Sequence, residues 1–432
     1  MKYVLIVFTF FLCVPWTSAQ QTYNYRLDFD RPTLSVLSSI EVTDSCFYAC
    51  GVASDSLPPF QLGSIFARLS FEGEVIWYKT LVDTIEYFGT WYNTMEKINE
   101  SFIVSGTYFD TLGRADLLIK YDADGDTLFT RKYRSPYLPE SDFIALISSQ
   151  KSLNDDGYYM VSNLSNTINS NTDTYLKKVD SLGQLEWGTI YGENENSESV
   201  GTILLEEDKI FIGGNIHNIN FDNNDYFSRG LLVQMNDEGE VEWEYETLEG
   251  ELRNLISDIL KADDGGYLLA SGKGVEVVST PTNSQLLWQP YVFKLDADRN
   301  FEWGVDIRDS FPSTTNGITK MIKVSDDSGY VVAGRSFRPN PAENGYDIMG
   351  LIAKISKEGD SLWTRRYNYV QSRSDDHVFY DMEETPDGGF VMVGQAVDFF
   401  QPEPPAQRAW IVKVDQHGCL VPGCHLISPT VE

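Results

Sequence analysis

Short apolar runs separated by acidic and glycine-rich turns recur along almost the whole chain. One set leads into a turn segment present in seven copies: FARLSFEG (66–73), LIKYDADG (118–125), LKKVDSLG (176–183), LVQMNDEG (232–239), VFKLDADR (292–299), IAKISKEG (352–359) and IVKVDQHG (411–418). The copies lie 52 to 60 residues apart, the spacing of stacked or radially repeated units. Upstream of each lies a second apolar run, usually closing on glycine: FYACG (47–51), FIVSG (102–106), YYMVSN (158–163), KIFIGG (209–214), YLLASG (267–272), YVVAG (330–334) and FVMVG (390–394). Turns such as DDGG (263–266), DDSG (326–329) and PDGG (386–389) precede most of them. Aromatic and β-branched runs bounded by Asp/Gly clusters predict strands joined by tight hairpins.

Four residues beyond the closing glycine position stands an aromatic residue: Trp77, Phe129, Trp187, Trp243, Trp303 or Trp363. It opens a last strand, as in VIWYKTL (75–81). Each unit therefore reads as four antiparallel strands, A to D, with A the weakest signal, as in GITKMIKVSD (317–326). Strands B and C are almost wholly apolar, as expected of a sheet covered on both faces. In the C–D turn, Asp122, Asp180, Asp296 and Asp415 are placed to accept backbone N–H bonds while the glycine turns left-handed. Arg299 replaces that glycine in one copy, where strain is expected.

There are seven A–B–C sets but six D strands carrying the aromatic, and NYRLDFD (24–30) is a spare strand before the first A. The expected fold is all-β: a single seven-bladed β-propeller of four-stranded antiparallel blades, its ring closed by strand 24–30. Radial repetition also removes long exposed sheet edges. A linear β-solenoid is the competing architecture, and it needs no spare strand.

The D-x-x-G-x-x-x-W rhythm of DSLGQLEW (180–187) resembles the blade repeats of PQQ-like, quinoprotein-type propellers. It resembles still more the propellers of secreted bacterial proteins that often carry a C-terminal sorting domain. The resemblance spans essentially the whole mature chain and implies that Trp77, Trp187, Trp243, Trp303 and Trp363, with Phe129 at the same position, dock against the neighbouring blade. This chain lacks the Thr that precedes the glycine in the quinoprotein motif, and it lacks their adjacent cysteine pair. No quinone or other cofactor is expected.

Lys2, the apolar run Val4–Val14 and Thr17-Ser18-Ala19 form the three regions of a secretory signal peptide. Residues 1–19 are therefore read as an address, 20–418 as the propeller and 419–432 as a C-terminal tail. No second long apolar stretch follows, so no membrane span is expected, and the protein is placed outside the cell or at its surface. Sixty-four acids against 33 bases, a net charge of −31, exclude nucleic acid as a partner, because phosphate binding needs a basic footprint. Cys46, Cys50, Cys419 and Cys424 remain after cleavage, and in an oxidising compartment Cys419 and Cys424 are expected to bridge. The alternative reading of HGCLVPGCH (417–425), a zinc cluster, fits no standard spacing, so no metal site is assigned.

No H-E-x-x-H, G-x-S-x-G, Walker or G-x-G-x-x-G pattern occurs, and there are four histidines. DADGD (122–126) puts its glycine too early for a calcium loop. A basic residue recurs at the third position of strand C (Arg68, Lys120, Lys178, Lys294, Lys354, Lys413, with Gln234 the exception), for which a blade-to-blade structural role is expected. The B–C and D–A connections are long and carry many aromatics, Trp288 and Tyr369 among them. Binding residues concentrate on loops held by a rigid scaffold, so the expected ligand site lies on that face, around Trp91, Tyr137, Arg308, Arg365 and His377. The leading functional expectation is a monomeric, non-catalytic secreted propeller that binds a glycan, a peptide or a partner protein. The alternatives are an extracellular polysaccharide hydrolase or lyase using carboxylates at the channel mouth, and a structural part of a cell-surface assembly.

Overall fold

The computed structural model describes residues 20–29, 34–54, 62–81, 87–110, 112–135, 143–165, 171–192, 196–220, 225–247, 253–280, 283–307, 313, 316–340, 345–369, 374–398, 407–421 and 423–426. The signal-peptide assignment lies outside them. Every regular element but one 3-10 turn, Cys424–Leu426, is a β-strand.

Four separate four-stranded antiparallel sheets follow one another along the chain. They are β6 (Tyr87–Ile98), β7 (Ser101–Asp110), β8 (Gly113–Asp122) and β9 (Thr127–Tyr133); β10 (Phe143–Lys151), β11 (Tyr158–Ser165), β12 (Thr172–Val179) and β13 (Leu185–Tyr191); β14 (Ser197–Glu206), β15 (Lys209–Asn220), β16 (Asp225–Asn236) and β17 (Val241–Glu246); and β18 (Arg253–Lys261), β19 (Tyr267–Thr280), β20 (Asn283–Leu295) and β21 (Phe301–Asp306). The other twelve strands form one mixed sheet with three antiparallel runs. One run is β2 (Leu34–Val42), β3 (Phe47–Ser54), β4 (Leu62–Leu69) and β5 (Val75–Leu81). A second is β22 (Gly317–Lys323), β23 (Tyr330–Asn340), β24 (Gly345–Ile355) and β25 (Ser361–Tyr367). The third is β26 (Ser374–Glu384), β27 (Phe390–Asp398) and β28 (Gln407–Val414), with the N-terminal β1 (Tyr23–Leu27) antiparallel to β28, Tyr25 opposite Ile411. Short parallel bridges, β24 to β26 and β2 to β28, join the runs.

The first strands of these units pack side by side: β2 on β6, β6 on β10, β10 on β14, β14 on β18, β18 on β22, β22 on β26 and β26 on β2. Core side chains lie between neighbouring sheets; Phe211 and Leu232 of one unit, for example, pack against Ile256, Tyr267 and Phe293 of the next. Part of what read as long B–C connection is strand. β19 runs on to Thr280 and pairs there with β20 from Asn283, and β15 runs on to Asn220 and pairs with β16 from Asp225.

The repeated aromatic rests on the turn glycine of the following unit. A Cβ added to Gly125 would lie 2.7 Å from the Trp77 ring, one on Gly239 2.8 Å from Trp187, one on Gly359 2.6 Å from Trp303 and one on Gly418 2.8 Å from Trp363, while Gly183 faces Phe129 in the same way. Each of these glycines has positive φ, so the position is restricted twice, by backbone conformation and by the ring above it. The rings are half-buried, since only one face is covered. In the unit that lacks an aromatic after its C–D turn, Tyr23 of β1 takes the place and lies 2.7 Å from the Cβ position of Gly73.

Arg299, at φ 68°, breaks the pattern and repairs it. Its guanidinium sits over Trp243, 4.7 Å from the ring centroid, and it donates to the Gln234 carbonyl oxygen. Gln234 is the one strand-C position without a cation, so the two exceptions compensate each other across the unit boundary. The other strand-C cations mostly stay within their own unit, contrary to the blade-to-blade expectation. Lys178 reaches Asp155 (2.7 Å), Lys294 reaches Asp264 (2.5 Å) and Lys413 reaches Asp387 (2.5 Å), each acid lying in the A–B turn beside it. The cause is geometric: A–B and C–D turns share one end of the sheet. Lys120 does reach forward, to the Tyr158 hydroxyl of the next unit (3.3 Å).

Gly125→Ala is expected to lower stability by about 3 kcal/mol, combining left-handed strain with a clash against Trp77. Gly265, also at positive φ, has 3.5 Å of clearance at its Cβ position, so Gly265→Ala carries only the backbone cost of about 1–2 kcal/mol. Equal losses in denaturant unfolding would show that the docked ring contributes nothing.

Candidate functional site

Every first strand contains a register shift of the β-bulge type, between Leu37 and Ser39, Gly89 and Thr94, Leu146 and Ser148, Val200 and Thr202, Ile256 and Asp258, Ile318 and Lys320, and Phe379 and Asp381. A bulge re-aims the side chains that follow it. The residues just after these shifts, and those two places further on, surround a cavity of about 770 Å³ enclosed by the first strands, within the roughly 300–1,000 Å³ typical of ligand pockets.

Many of these side chains latch one unit to the next. Asp381 accepts from the Ile40 N–H (2.9 Å) and the Ser39 hydroxyl (2.6 Å). Ser39 accepts from the Met95 N–H (3.3 Å), Thr94 from the Ser149 N–H (3.1 Å) and Asp258 from the Met321 N–H (2.7 Å). One layer closer to the short A–B turns, Glu41 accepts from the Lys97 N–H (3.1 Å), Glu96 from the Lys151 N–H (2.6 Å) and Gln150 from the Leu205 N–H (2.9 Å). The bulged backbone frees these N–H groups, and a short polar side chain from the preceding unit satisfies them.

The two layers are chemically lopsided. On the β26, β2 and β6 side stand Glu383, Asp381, Glu41 and Glu96; Lys320 and Asp258 come from β22 and β18, and Arg335 from β23; the remaining wall is Ser, Thr, Asn, Gln, aromatic and apolar. Lys320 Nζ lies 3.6 Å from Asp381, with 35% of its side chain accessible to the cavity. Asp381 first, then Asp258 and Glu383, hold its ammonium firmly protonated. Burial, reinforced by Glu383 and Asp381, pushes the Glu41 carboxyl up to about 8. Burial also pushes Glu383 up to about 7, with Lys320 opposing. Desolvation likewise raises Glu96 and Asp258. Two buried carboxyls lifted toward neutrality beside a cation are the kind of set from which general acid–base catalysis is built.

The expected ligand residues fall elsewhere. The Trp91 side chain, Tyr137 and Arg308 lie outside the described residues. Arg365, on β25, spreads over Trp363 (5.7 Å to the ring centroid), donates to the Thr364 carbonyl and packs on Gly418; it does not line the cavity. His377 is fully buried beside Trp410 (5.2 Å between rings). Its Nε2 accepts from the Tyr369 N–H and its Nδ1 donates to the Ile348 carbonyl, while burial brings its pKa down to about 4. The sequence reading passed over Glu41, Glu96, Asp258, Lys320, Asp381 and Glu383 because strand A carries the weakest pattern. Counting back two and four residues from the start of each A–B turn would have aligned them.

Cys419 and Cys424 form a disulfide, with Cα atoms 5.7 Å apart. Asp415, Cys419 and His425 bring ligand atoms within 4.8 Å of one another, but the Cys419 sulfur is committed to the bridge. Cys46 and Cys50 are buried free thiols. Among the described residues, no helix is long and apolar enough to cross a membrane.

No protein-family model matches the chain, and no curated protein does. Solved structures do. A polysaccharide lyase is 9% identical, with a TM-score of 0.49, over 92% of this chain and 93% of its own. The β-propeller domain of the Trilobed protease of Pyrococcus furiosus, described as having an open velcro topology, is 11% identical with a TM-score of 0.47, over 89% and 96%. The GH93 α-L-arabinofuranosidase of Fusarium graminearum, solved with arabinobiose, is 13% identical with a TM-score of 0.44, over 91% and 98%. At this distance the likeness is one of fold. The expectation of a non-catalytic binding module is corrected: the solved structures similar to this chain include a polysaccharide lyase and an arabinofuranosidase. The chain is an all-β protein with four four-stranded antiparallel sheets and one mixed sheet among the described residues, and the solved structures similar to it include a β-propeller domain.

Proposed function

We propose that this protein is an extracellular glycan-active hydrolase whose chemistry takes place in the central cavity. The observation that carries the proposal is the convergence of Glu41, Asp381 and Glu383 on one wall of the cavity, with Lys320 3.6 Å from Asp381 and burial lifting Glu41 to about 8 and Glu383 to about 7. Glu41 would protonate the leaving oxygen, and Glu383 would act as base or nucleophile, the division of labour of paired carboxylates in glycoside hydrolysis. Lys320 and Arg335 line the cavity together with Asp258, Asp381, Glu41, Glu383 and Glu96, so its wall carries groups of both signs.

The architecture that goes with this function is a seven-bladed propeller of residues 20–418, with β1 as the outer strand of the last blade. The β1–β28 pairing, the Tyr23–Gly73 contact and the cyclic packing of the seven first strands support it. Residues 1–19 are then the secretory signal and 419–432 a disulfide-braced tail.

Arabinan and arabino-oligosaccharides are the first substrates to assay. Glu41→Gln and Glu383→Gln should each lower kcat by about 10²–10⁴-fold. Activity should rise as Glu383 loses its proton near pH 7 and fall as Glu41 loses its own near pH 8, the upper limb vanishing in Glu41→Gln. Unchanged turnover in both variants would remove the catalytic assignment and leave these carboxylates as inter-blade latches.

A further inference from the structure

At the end of the cavity remote from Glu41 and Glu383, β20 presents Trp288 to the lumen. The residue is held by its backbone. Trp288 exchanges two N–H···O bonds of 3.2 Å with Ser313, and Asn316 Nδ2 donates to its carbonyl at 2.8 Å. The Asn316 side-chain oxygen is itself anchored by the Phe337 N–H (2.7 Å). One face of the indole lies along Gly272, where an added Cβ would be only 3.6 Å from the ring. The indole N–H is buried and finds no acceptor among the described residues. A tryptophan fixed this firmly with an unused donor is costly unless something else completes it.

Two amides line the cavity near this level. Asn163 spends its oxygen on the Val200 N–H (2.8 Å), so its NH₂ is the part left for a ligand. Asn215 uses its NH₂ toward Ser228 (3.2 Å), leaving its oxygen as an acceptor. A flat aromatic face flanked by one donor and one acceptor matches a sugar ring. Polarised C–H bonds on the ring's apolar face are attracted to the negative π-face, and hydroxyl groups at its rim take the hydrogen bonds.

We infer that Trp288, with Asn163 and Asn215, is a binding subsite for a sugar residue of the substrate, several residues along the chain from the bond that is cut. The inference rests on the cavity being the site of a glycan-active protein. The carboxylates lie two residues from the A–B turns and Trp288 at the opposite end of the strands. At about 3.3 Å per residue, they are far enough apart for the subsite to act on affinity and not on the chemical step.

The experiment compares the full-length protein with Trp288→Ala and Trp288→Phe on arabinohexaose, xylohexaose, cellohexaose and laminarihexaose, and on the matching 4-nitrophenyl monoglycosides. Binding is followed by calorimetry and turnover by product release. The Trp288 side chain carries none of the bonds that hold its backbone, and Trp288→Phe keeps an aromatic face should Trp288→Ala fold poorly. The expected result is a KM, or a Kd, raised about tenfold for one hexasaccharide in Trp288→Ala, with kcat and monoglycoside turnover unchanged and a smaller loss in Trp288→Phe. Binding of a hexasaccharide without turnover, lost in Trp288→Ala, would keep the subsite and overturn the hydrolase. Turnover with the same KM in wild type and Trp288→Ala would overturn the subsite and keep the hydrolase. No binding and no turnover with any probe would overturn both.

Discussion

Deleting residues 20–31 is expected to lower the melting temperature sharply and to leave β28 with an unpaired edge. β1 supplies five register pairs to β28. It and the residue just beyond it also bury Tyr23, Leu27 and Phe29 against the β2–β4 and β27–β28 core. Full burial of a large apolar side chain contributes about 1.5–3 kcal/mol, so the loss is on the order of 5 kcal/mol before the ladder bonds are considered. Gln20, Gln21 and Thr22 add contacts to Asp387, Lys413 and Leu420. Thermal unfolding of the truncated and intact chains decides the matter. A truncated protein that melts with the intact one would mean that β1 is an accessory strand and that the ring holds without it.

Breaking the Asp116–Lys177 pair should be comparably damaging. Both side chains are fully buried, and they join β8 to β12 across two units, with Ser162 bonded to the aspartate (2.5 Å) and accepting from the lysine (2.8 Å). Desolvation pushes the Asp116 carboxyl up and the Lys177 ammonium down, each opposed by the partner's charge. Removing one partner strands the other charge away from water. Asp116→Ala or Lys177→Met alone should therefore cost about 3–5 kcal/mol, whereas Asp116→Leu with Lys177→Met should be close to neutral. Denaturant midpoints of the three variants test this. A double variant as unstable as either single one would show that the loss comes from packing and not from the uncompensated charge.

The repeat was legible in the sequence because its causes are local. A glycine at positive φ, an aspartate accepting turn N–H groups and an apolar run between them depend on neighbours a few residues away, so Gly125, Asp122 and Trp77 show themselves without a fold. The N-terminal strand was legible in the sequence, though it begins at Tyr23 and not at Asn24, and the contact of Tyr23 with Gly73 could not be recognised from its own surroundings. The compensation of Gln234 by Arg299 is likewise invisible in one dimension, since the two residues belong to different units.

The candidate site was the part that only tertiary structure decided. Glu41, Glu96, Asp258, Lys320, Asp381 and Glu383 sit on five different first strands, hundreds of residues apart in some pairs, and only their offset from each A–B turn relates them. Each taken alone is an ordinary charged residue in a weakly patterned strand. Their meaning comes from bulges that turn them inward and from burial that lifts two carboxyls toward neutral pH. It also depends on a lysine arriving from another strand. Local chemistry determined the turns, the strands and their repetition, because those terms act along the chain. Convergence and desolvation act across it, and they exist once the sheets are packed.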